Sequence, residues 1–310
     1  MMPAVPVLIR SRRRRAAGVV AVAAALVLAL ASCGDDDDGG ASGTTVPGPA
    51  TTGPTATTTP AITGPSAPPT TDATATVEAR VYFLRDEKVG PVARTVRGPQ
   101  VATAAMEALL AGPTAEEEAL GFTSAVPEGT TLRGVVVEDG VATVDLSSAF
   151  GSGGGSLSMT SRVAQVVFTL TQFPTVDAVA FELDGEPVDE LGGEGVLLDE
   201  PQDRAAWEDL TPAILVESPL PGARVTSPLR ITGTANTFEA AFWVTLSDAT
   251  GAVLHDGPAM ATSGSGTRGT FDLTVPFTTT ADALMLTVLE HSAEDGRPIH
   301  EVEIPLRVGP

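Results

Sequence analysis

The feature that most constrains this chain is a change of composition at residue 76. Residues 34–75 contain 12 Thr, 7 Pro and 7 Gly, with almost no large apolar side chains. Such a segment cannot bury enough apolar surface to offset the entropy lost on ordering. The composition therefore predicts a disordered tether over residues 33–75 and folded structure from Thr76 onward.

The charge is also distributed unevenly along the chain. The 310 residues carry 18 Lys+Arg and 39 Asp+Glu, a net charge of -21. Five of the bases lie between Arg10 and Arg15 and no acid precedes Asp35, so the part from Cys33 onward has 13 bases against 39 acids. Because proteins bind nucleic acid chiefly through Lys and Arg, this acidity argues against nucleic acid as a partner.

The first 32 residues have the order of a secretory signal peptide. The basic segment Arg10–Arg15 precedes an uncharged apolar run over residues 16–31, and this order is typical of an export signal. The run has 16 residues, fewer than the ~20 that span a bilayer as a permanent helix. We therefore predict a signal peptide over residues 1–32, with a short uncleaved anchor as the alternative. Both the general secretory and the twin-arginine export routes stay open.

Leu30, Ala31, Ser32 and Cys33 resemble the bacterial lipobox. The resemblance implies that the Cys33 thiol is diacylated and that Cys33 becomes the mature N-terminus. Cys33 is the only cysteine, which excludes an intrachain disulfide and a thiolate metal cluster. Several acyl chains on one residue hold a protein stably at a membrane. We expect a lipid-anchored protein whose partner is the cytoplasmic membrane and which lies on its outer, extracytoplasmic face.

Residues 76–205 alternate strand and helix patterns. A period of two begins at Thr76, and helical stripes follow at 101–110 and after the Gly/Ser loop Gly151–Ser156. Thr114 and Glu117 have the spacing of a capping box. The order strand, helix, hairpin, helix, strand predicts an α+β domain with helices on one face of a sheet.

The clearest local prediction is a hairpin over residues 131–147. Asp139-Gly140 suits a type I′ turn between two strand-like runs. A two-residue loop would set Val137 opposite Ala142 and Val135 opposite Val144. We expect these four side chains to lie on one buried face.

After Asp209 the helical pattern does not return. Seven short β-rich runs with Gly- and Pro-containing turns follow, at 214–216, 229–235, 242–246, 252–254, 270–275, 284–289 and 299–308. Seven strands in about 100 residues are typical of an immunoglobulin-like sandwich. We predict an all-β sandwich over residues 211–310, with Trp243 in its core. Whether the two domains pack together or hinge near residues 200–212 is left open.

The first domain resembles the GerMN family of sporulation and germination modules. The resemblance rests on Val81-Tyr82-Phe83, Leu109-Leu110-Ala111-Gly112-Pro113-Thr114, the Val141–Leu146 strand and Phe168-Thr169-Leu170-Thr171-Gln172-Phe173. The second domain resembles the immunoglobulin-like domain of germination-related proteins, through Ile231-Thr232-Gly233-Thr234-Ala235 and Leu289-Glu290-His291-Ser292. Together they imply a cell-envelope protein related to sporulation or germination, with no catalytic residue to transfer.

The residues themselves give little support to catalysis. His255, His291 and His300 all fall in the second domain, and no Gly-x-Ser-x-Gly elbow precedes a helix. Gly151–Ser156 has no Lys for phosphates and is interpreted as a flexible connector. Carboxylate pairs such as Asp184 and Glu186 are expected by chance in so acidic a chain. We predict no enzyme activity, no cofactor and no metal.

Three hypotheses about function follow. The first is a non-catalytic scaffold or interaction protein that docks another envelope protein. The second is a lipoprotein that binds peptidoglycan or a surface glycan of the cell wall. The third is a hydrolase. The module pair and the absence of a recognisable catalytic set favour the first.

Overall fold

The computed structural model describes residues 76–192 and 195–309. All of these residues belong to one compact unit. The predicted signal peptide (1–32), the lipobox and the predicted tether (33–75) lie outside the described residues.

The first domain opens with a long hairpin. β1 (Thr76–Arg85) pairs antiparallel with β2 (Lys88–Arg97). The two turn residues, Asp86 and Glu87, both have positive φ, as a tight turn between twisted strands requires. β2 is therefore longer than the short strand that the sequence suggested for Val92–Val96.

Two helices follow the hairpin. α1 (Val101–Leu110) buries Ala105, Met106 and Leu109. α2 (Ala115–Ala119) starts at the predicted capping box, in which the Glu117 amide donates to the Thr114 hydroxyl and the Glu117 carboxylate accepts from the Thr114 amide. The capping box is thus confirmed.

The second sheet of this domain has the order β3-β4-β5-β6. Its strands are β3 (Leu132–Glu138), β4 (Val141–Leu146), β5 (Ala178–Leu183) and β6 (Glu186–Pro187). β3 and β4 form the predicted hairpin with the predicted register. One expectation was wrong, because Val137 is 39% exposed. β3 is the edge strand, so a side chain near its end has core on only one side.

α3 (Ser156–Leu170) lies inside the domain and runs between β4 and the parallel strand β5. Every residue from Ser161 to Leu170 is buried. The helix contacts β1 and β2 in one sheet and β5 in the other. The α+β class is confirmed, and the structure adds that the strands form separate sheets around α3. A small pair, β7 (Glu190–Leu191) and β8 (Val196–Leu197), completes the domain.

Side chains of α3 and the residues after it satisfy the free edge of β1. The Thr169 hydroxyl accepts from the Tyr82 amide at 3.1 Å, and the Gln165 amide group donates to the Tyr82 carbonyl at 3.1 Å. Gln172 accepts from the Arg80 amide and donates to its carbonyl. Because buried backbone groups need partners, these side chains replace a missing neighbouring strand.

The second domain is the predicted sandwich. Its strands are β9 (Ile214–Ser218), β10 (Arg224–Val225), β11 (Leu229–Ala235), β12 (Ala241–Asp248), β13 (Val253–Met260), β14 (Gly269–Val275), β15 (Ala283–His291) and β16 (Pro298–Val308). They form sheets of order β14-β11-β9 and β10-β16-β15-β12-β13. Six of the seven predicted runs lie wholly in strands, and the run at 252–254 begins one residue before β13. β10 was missed because it has only two residues.

The expectation that Trp243 lies in the core was wrong. Phe242 and Val244 point into the sandwich and are buried. Since side chains alternate along a strand, Trp243 between them lies on the outer face, where it is half-buried.

Candidate functional site

The predicted lipid site cannot be placed. Leu30, Ala31, Ser32 and Cys33 lie outside the described residues, so acylation of Cys33 stays a prediction. Among the residues that are described, no helix is long and apolar enough to cross a membrane. The candidate site lies where the two folded domains meet.

The connection between the domains is a packed element. A 3₁₀ helix, Ala205–Leu210, joins them, and Trp207 and Leu210 are buried in the core of the first domain. Leu215, on the first strand of the second domain, belongs to the same apolar cluster. The residues near 200–212 thus pack against both domains. The sequence did not show this, because Trp207 stands among charged and small residues without periodicity.

A partly buried polar cluster crosses the junction. Glu217 on β9 accepts hydrogen bonds from the Tyr82 hydroxyl of β1 and from Arg204 Nη1, the latter at 2.8 Å. The Arg204 guanidinium lies 5.3 Å from the Tyr82 ring centroid and 4.8 Å from that of Phe168. We call Tyr82, Arg204 and Glu217 the junction triad. It joins Tyr82 to two segments that lie 122 and 135 positions further along the chain.

The surroundings of the junction triad fix the protonation states of Glu217 and Tyr82. Burial alone would raise the pKa of Glu217, but the charge of Arg204 and the hydrogen bonds from Tyr82 and Arg204 lower it below its ordinary value. Burial is also the main reason that the pKa of Tyr82 is raised. Glu217 is therefore ionised and Tyr82 neutral near pH 7, which suits a structural pair rather than an acid and a base.

A second tie joins the connecting helix to the sandwich. Arg268 donates to both carboxylate oxygens of Glu208, at 2.8 and 3.0 Å, and to the Pro212 carbonyl at 2.9 Å. Asn236 Nδ2 also donates to Glu208, at 2.8 Å. A bidentate Arg–carboxylate pair fixes both distance and orientation. The two ties together hold the second domain against the first.

The domains enclose a cleft with a volume of 530 Å³. Its floor is apolar and comes from both domains: Val89, Pro91 and Phe122 from the first, Ile214, Pro221 and Ile304 from the second. Its rim is charged and includes Arg85, Lys88 and Glu301. Apolar concave sites with a few polar groups at domain boundaries are where partners and ligands most often bind. We call this space the junction cleft.

The residues that might have suggested catalysis are dispersed. His300 Nδ1 lies 2.8 Å from Glu290, while His255 and His291 lie on other strands. Asp184 pairs with Arg133 at 2.8 Å. In the described part of the chain, no group of three or more His, Cys, Asp or Glu side chains is placed to hold a metal ion.

The Gly151–Ser156 loop is not the free connector that the sequence suggested. The buried guanidinium of Arg162 donates to the carbonyls of Phe150, Ser152 and Gly153 at 2.6, 3.0 and 3.0 Å. Because those carbonyls face a cation, the loop binds a side chain of its own domain and not a phosphate.

Comparison with known proteins defines the class of both domains. Residues 80–189 match the family described as Germane, sporulation and spore germination. Residues 213–297 match the family described as Gmad2, immunoglobulin-like domain of bacterial spore germination. Two successive parts of the chain are thus similar to a GerMN domain and to a Gmad2 immunoglobulin-like domain.

One curated relative and two solved structures complete the comparison. The chain is 30% identical over 123 residues to the spore germination protein GerM of Bacillus subtilis (strain 168), covering 38% of this chain and 33% of that protein. The chain therefore spans about a third of that relative's length. The first GerMN domain of the same sporulation protein is 28% identical, with 42% of this chain and 98% of that chain covered and a TM-score of 0.34. Its tandem GerMN domains are 19% identical, with 66% and 63% covered and a TM-score of 0.35.

Proposed function

We propose that the protein is a non-catalytic interaction protein of the bacterial cell envelope. In this proposal a lipid on Cys33 anchors it at the outer face of the cytoplasmic membrane, and the junction cleft docks another envelope protein. A role in sporulation or germination is part of the proposal, supported by the descriptions of the two matched families and by the name of the relative.

The observation that carries the docking proposal is the fixed junction. Binding of a partner to both domains must fix their relative position, which costs entropy. This cost is small if the two domains are already held together. The junction triad and the Glu208–Arg268 pair provide this restraint next to the junction cleft. The cleft combines an apolar floor with a charged rim, and this combination is typical of the centre and edge of protein interfaces.

Docking is tested by photocrosslinking in intact cells. We would replace Glu301, exposed on the cleft rim, by p-benzoylphenylalanine and use exposed Glu294, which does not line the cleft, as the matched position. The proposal expects one protein adduct at position 301 and none at 294. Lys88→Glu, which reverses a rim charge, should reduce the adduct at least tenfold, whereas Arg97→Glu should leave it unchanged.

Two results would contradict the docking proposal. One is the lack of any protein adduct at position 301. The other is an adduct whose yield is the same in the Lys88→Glu and Arg97→Glu variants. Saturable binding of the full chain to purified cell wall, together with no adduct, would favour the wall-binding hypothesis instead.

Lipid anchoring is tested separately by fractionation. Cys33→Ala removes the thiol that accepts the lipid, so the protein should leave the membrane fraction. Ser32→Ala keeps a small residue before the cysteine and should stay membrane-bound. If the Cys33→Ala protein remained fully with the membrane, Cys33 would not be the anchor.

A further inference from the structure

The second domain displays an aromatic side chain that its core does not use. The chain has ten Phe, two Trp and one Tyr, and all of them except Phe238 and Trp243 belong to an apolar core cluster or pack against one. Trp243 lies on β12, between β15 and the edge strand β13 of the five-stranded sheet. Its outward position therefore needs an explanation other than core packing.

Trp243 is flanked by apolar and polar side chains on the same face. Its strand partners are Pro258 on β13 and Leu289 on β15, and directly opposed residues share a face. Asp256 and His291 lie two residues further along those strands. We call Trp243, Pro258, Leu289, Asp256 and His291 the Trp243 face.

Hydrogen bonds fix the orientation of the indole ring. Trp243 Nε1 donates to Asp256 Oδ1 at 2.8 Å, and the Thr245 hydroxyl donates to the same oxygen at 2.8 Å. The His291 ring meets the indole edge-on, with centroids 5.6 Å apart and planes at 74°. A side chain held in this way is pre-organised, so a ligand that stacks on it loses little rotamer entropy.

The polar groups of this face leave acceptors for a ligand and few donors. The donors of Trp243 and Thr245 are both used on Asp256 Oδ1, and within the described chain Asp256 Oδ2 has no partner. His291 Nδ1 lies 3.1 Å from the Gly296 carbonyl. Because a carbonyl can only accept, this contact assigns a proton to Nδ1, and in the tautomer protonated at Nδ1 the Nε2 atom is an acceptor.

These observations describe a ligand that is rich in hydroxyl donors and has a flat apolar side. A pyranose ring has both properties, since its axial C–H groups form an apolar face and its hydroxyl groups donate around the rim. The charge of the protein argues against an anionic polysaccharide as the ligand. The part of the chain from Cys33 onward has 13 bases against 39 acids and therefore repels polyanions.

We propose that the Trp243 face binds an uncharged polysaccharide chain. One pyranose ring stacks on the indole of Trp243, and its hydroxyl groups donate to Asp256 Oδ2 and His291 Nε2. Hydrogen bonds from Trp243 and Thr245 are the main reason that the pKa of Asp256 is lowered, so the carboxylate is an ionised acceptor at neutral pH. This site is distinct from the junction cleft, whose lining does not include any residue of the Trp243 face.

The test uses the full-length protein and three soluble hexasaccharides. Chitohexaose and cellohexaose are uncharged, and hexagalacturonate is the anionic control. Binding is followed by tryptophan fluorescence in a Trp207→Phe background, which leaves Trp243 as the only indole. It is also measured by isothermal titration calorimetry with protein that retains Trp207. We expect saturable binding of at least one uncharged hexamer and none of hexagalacturonate.

Three variants distinguish binding at the Trp243 face from non-specific binding. Trp243→Ala should weaken binding at least tenfold, while Phe238→Ala, which removes the other aromatic outside the cores, should change it less than twofold. Asp256→Asn keeps the indole and should weaken binding several-fold. If Trp243→Ala lowers the thermal stability of the protein, the affinity of Asp256→Asn tests the proposal in its place.

Three outcomes would overturn the proposal. They are the lack of binding by both uncharged hexamers, equal affinity in the wild-type and the folded Trp243→Ala or Asp256→Asn proteins, and self-association that is lost in Trp243→Ala without any hexamer binding. The last would assign the face to a second copy of the chain. A failure of the Glu301 crosslinking leaves this binding assay unaffected, so the two proposals are distinguishable.

Discussion

Removing the carboxylate of Glu217 should loosen the junction of the two domains. In Glu217→Ala the Arg204 guanidinium and the fully buried hydroxyl of Tyr82 both lose a partner. Breaking a buried ion pair costs about 3–5 kcal/mol. The side chains of Arg204 and Glu217 keep 28% and 16% of their exposure, so water compensates in part and we expect a loss of about 2–4 kcal/mol.

A matched exposed pair provides the control. Arg230 and Asp272 in the second domain form a bidentate pair at 2.8 and 2.6 Å, but their side chains are 71% and 55% exposed. Asp272→Ala should therefore destabilise the protein much less than Glu217→Ala, because solvent screens an exposed ion pair. The two variants remove the same kind of interaction and differ in burial.

Urea unfolding and thermal unfolding at pH 7 measure the difference. For a body of this size, 1 kcal/mol corresponds to about 2–4 °C in Tm, so Glu217→Ala should lower Tm by about 4–16 °C. A cycle of Tyr82→Phe and Glu217→Gln should give a coupling free energy of about 0.5–3 kcal/mol. If Glu217→Ala cost no more than Asp272→Ala, the junction triad would not restrain the domains and the reasoning would be refuted.

The pH dependence of this contribution has a definite sign. The pKa of Glu217 is lower in the folded protein than its ordinary value, which is about 4.3 in an unfolded chain. A group with a depressed folded pKa contributes fully above its unfolded pKa and loses the contribution as the pH falls through its folded pKa. The advantage of the wild type over Glu217→Gln should be constant from about pH 6 to 8 and shrink below about pH 4.

Two further predictions concern close packing and a buried cation. A Cβ on Gly233 would lie 2.1 Å from the Leu215 carbonyl oxygen, whereas one on Gly134 meets no atom within 4 Å. Gly233→Ala should therefore cost about 3 kcal/mol or more and Gly134→Ala about 1 kcal/mol or less. The urea midpoints of the two variants measure this difference, and equal midpoints would contradict the packing argument. Arg162→Met removes the donors to the Phe150 carbonyl and to two loop carbonyls, those of Ser152 and Gly153. It should therefore cost about 3 kcal/mol and speed limited proteolysis within Gly151–Ser156. Unchanged cleavage would mean that Arg162 does not hold the loop.

Local features of the fold could be predicted because their causes are local. Asp139-Gly140 sets the turn and register of the β3–β4 hairpin, and Thr114 with Glu117 sets the start of α2. The strands of the sandwich follow from apolar alternation between turn residues. The hairpin turn and the capping box depend on residues within a few positions of one another, so the sequence pattern contains the whole interaction.

The junction could not be predicted for the opposite reason. Tyr82 and Glu217 are separated by 135 positions and Tyr82 and Arg204 by 122, and in a chain with 39 acidic residues no pattern marks Glu217 as the one that pairs with Arg204. Trp243 was misplaced for a different reason, since residue type was given more weight than the alternation in which Phe242 and Val244 take the inward positions.

The junction triad and the junction cleft are linked thermodynamically. A partner that filled the cleft would contact β2 and β9 together, so it would bind only the arrangement in which the domains are docked. Any free energy by which it stabilises that arrangement must equal the free energy by which the arrangement favours its binding. Glu217 lies outside the lining of the cleft. Glu217→Ala should nevertheless weaken binding of the partner under conditions in which the variant populates an undocked arrangement of the domains. The same substitution should leave hexasaccharide binding at the Trp243 face unchanged, because that face lies within a single domain.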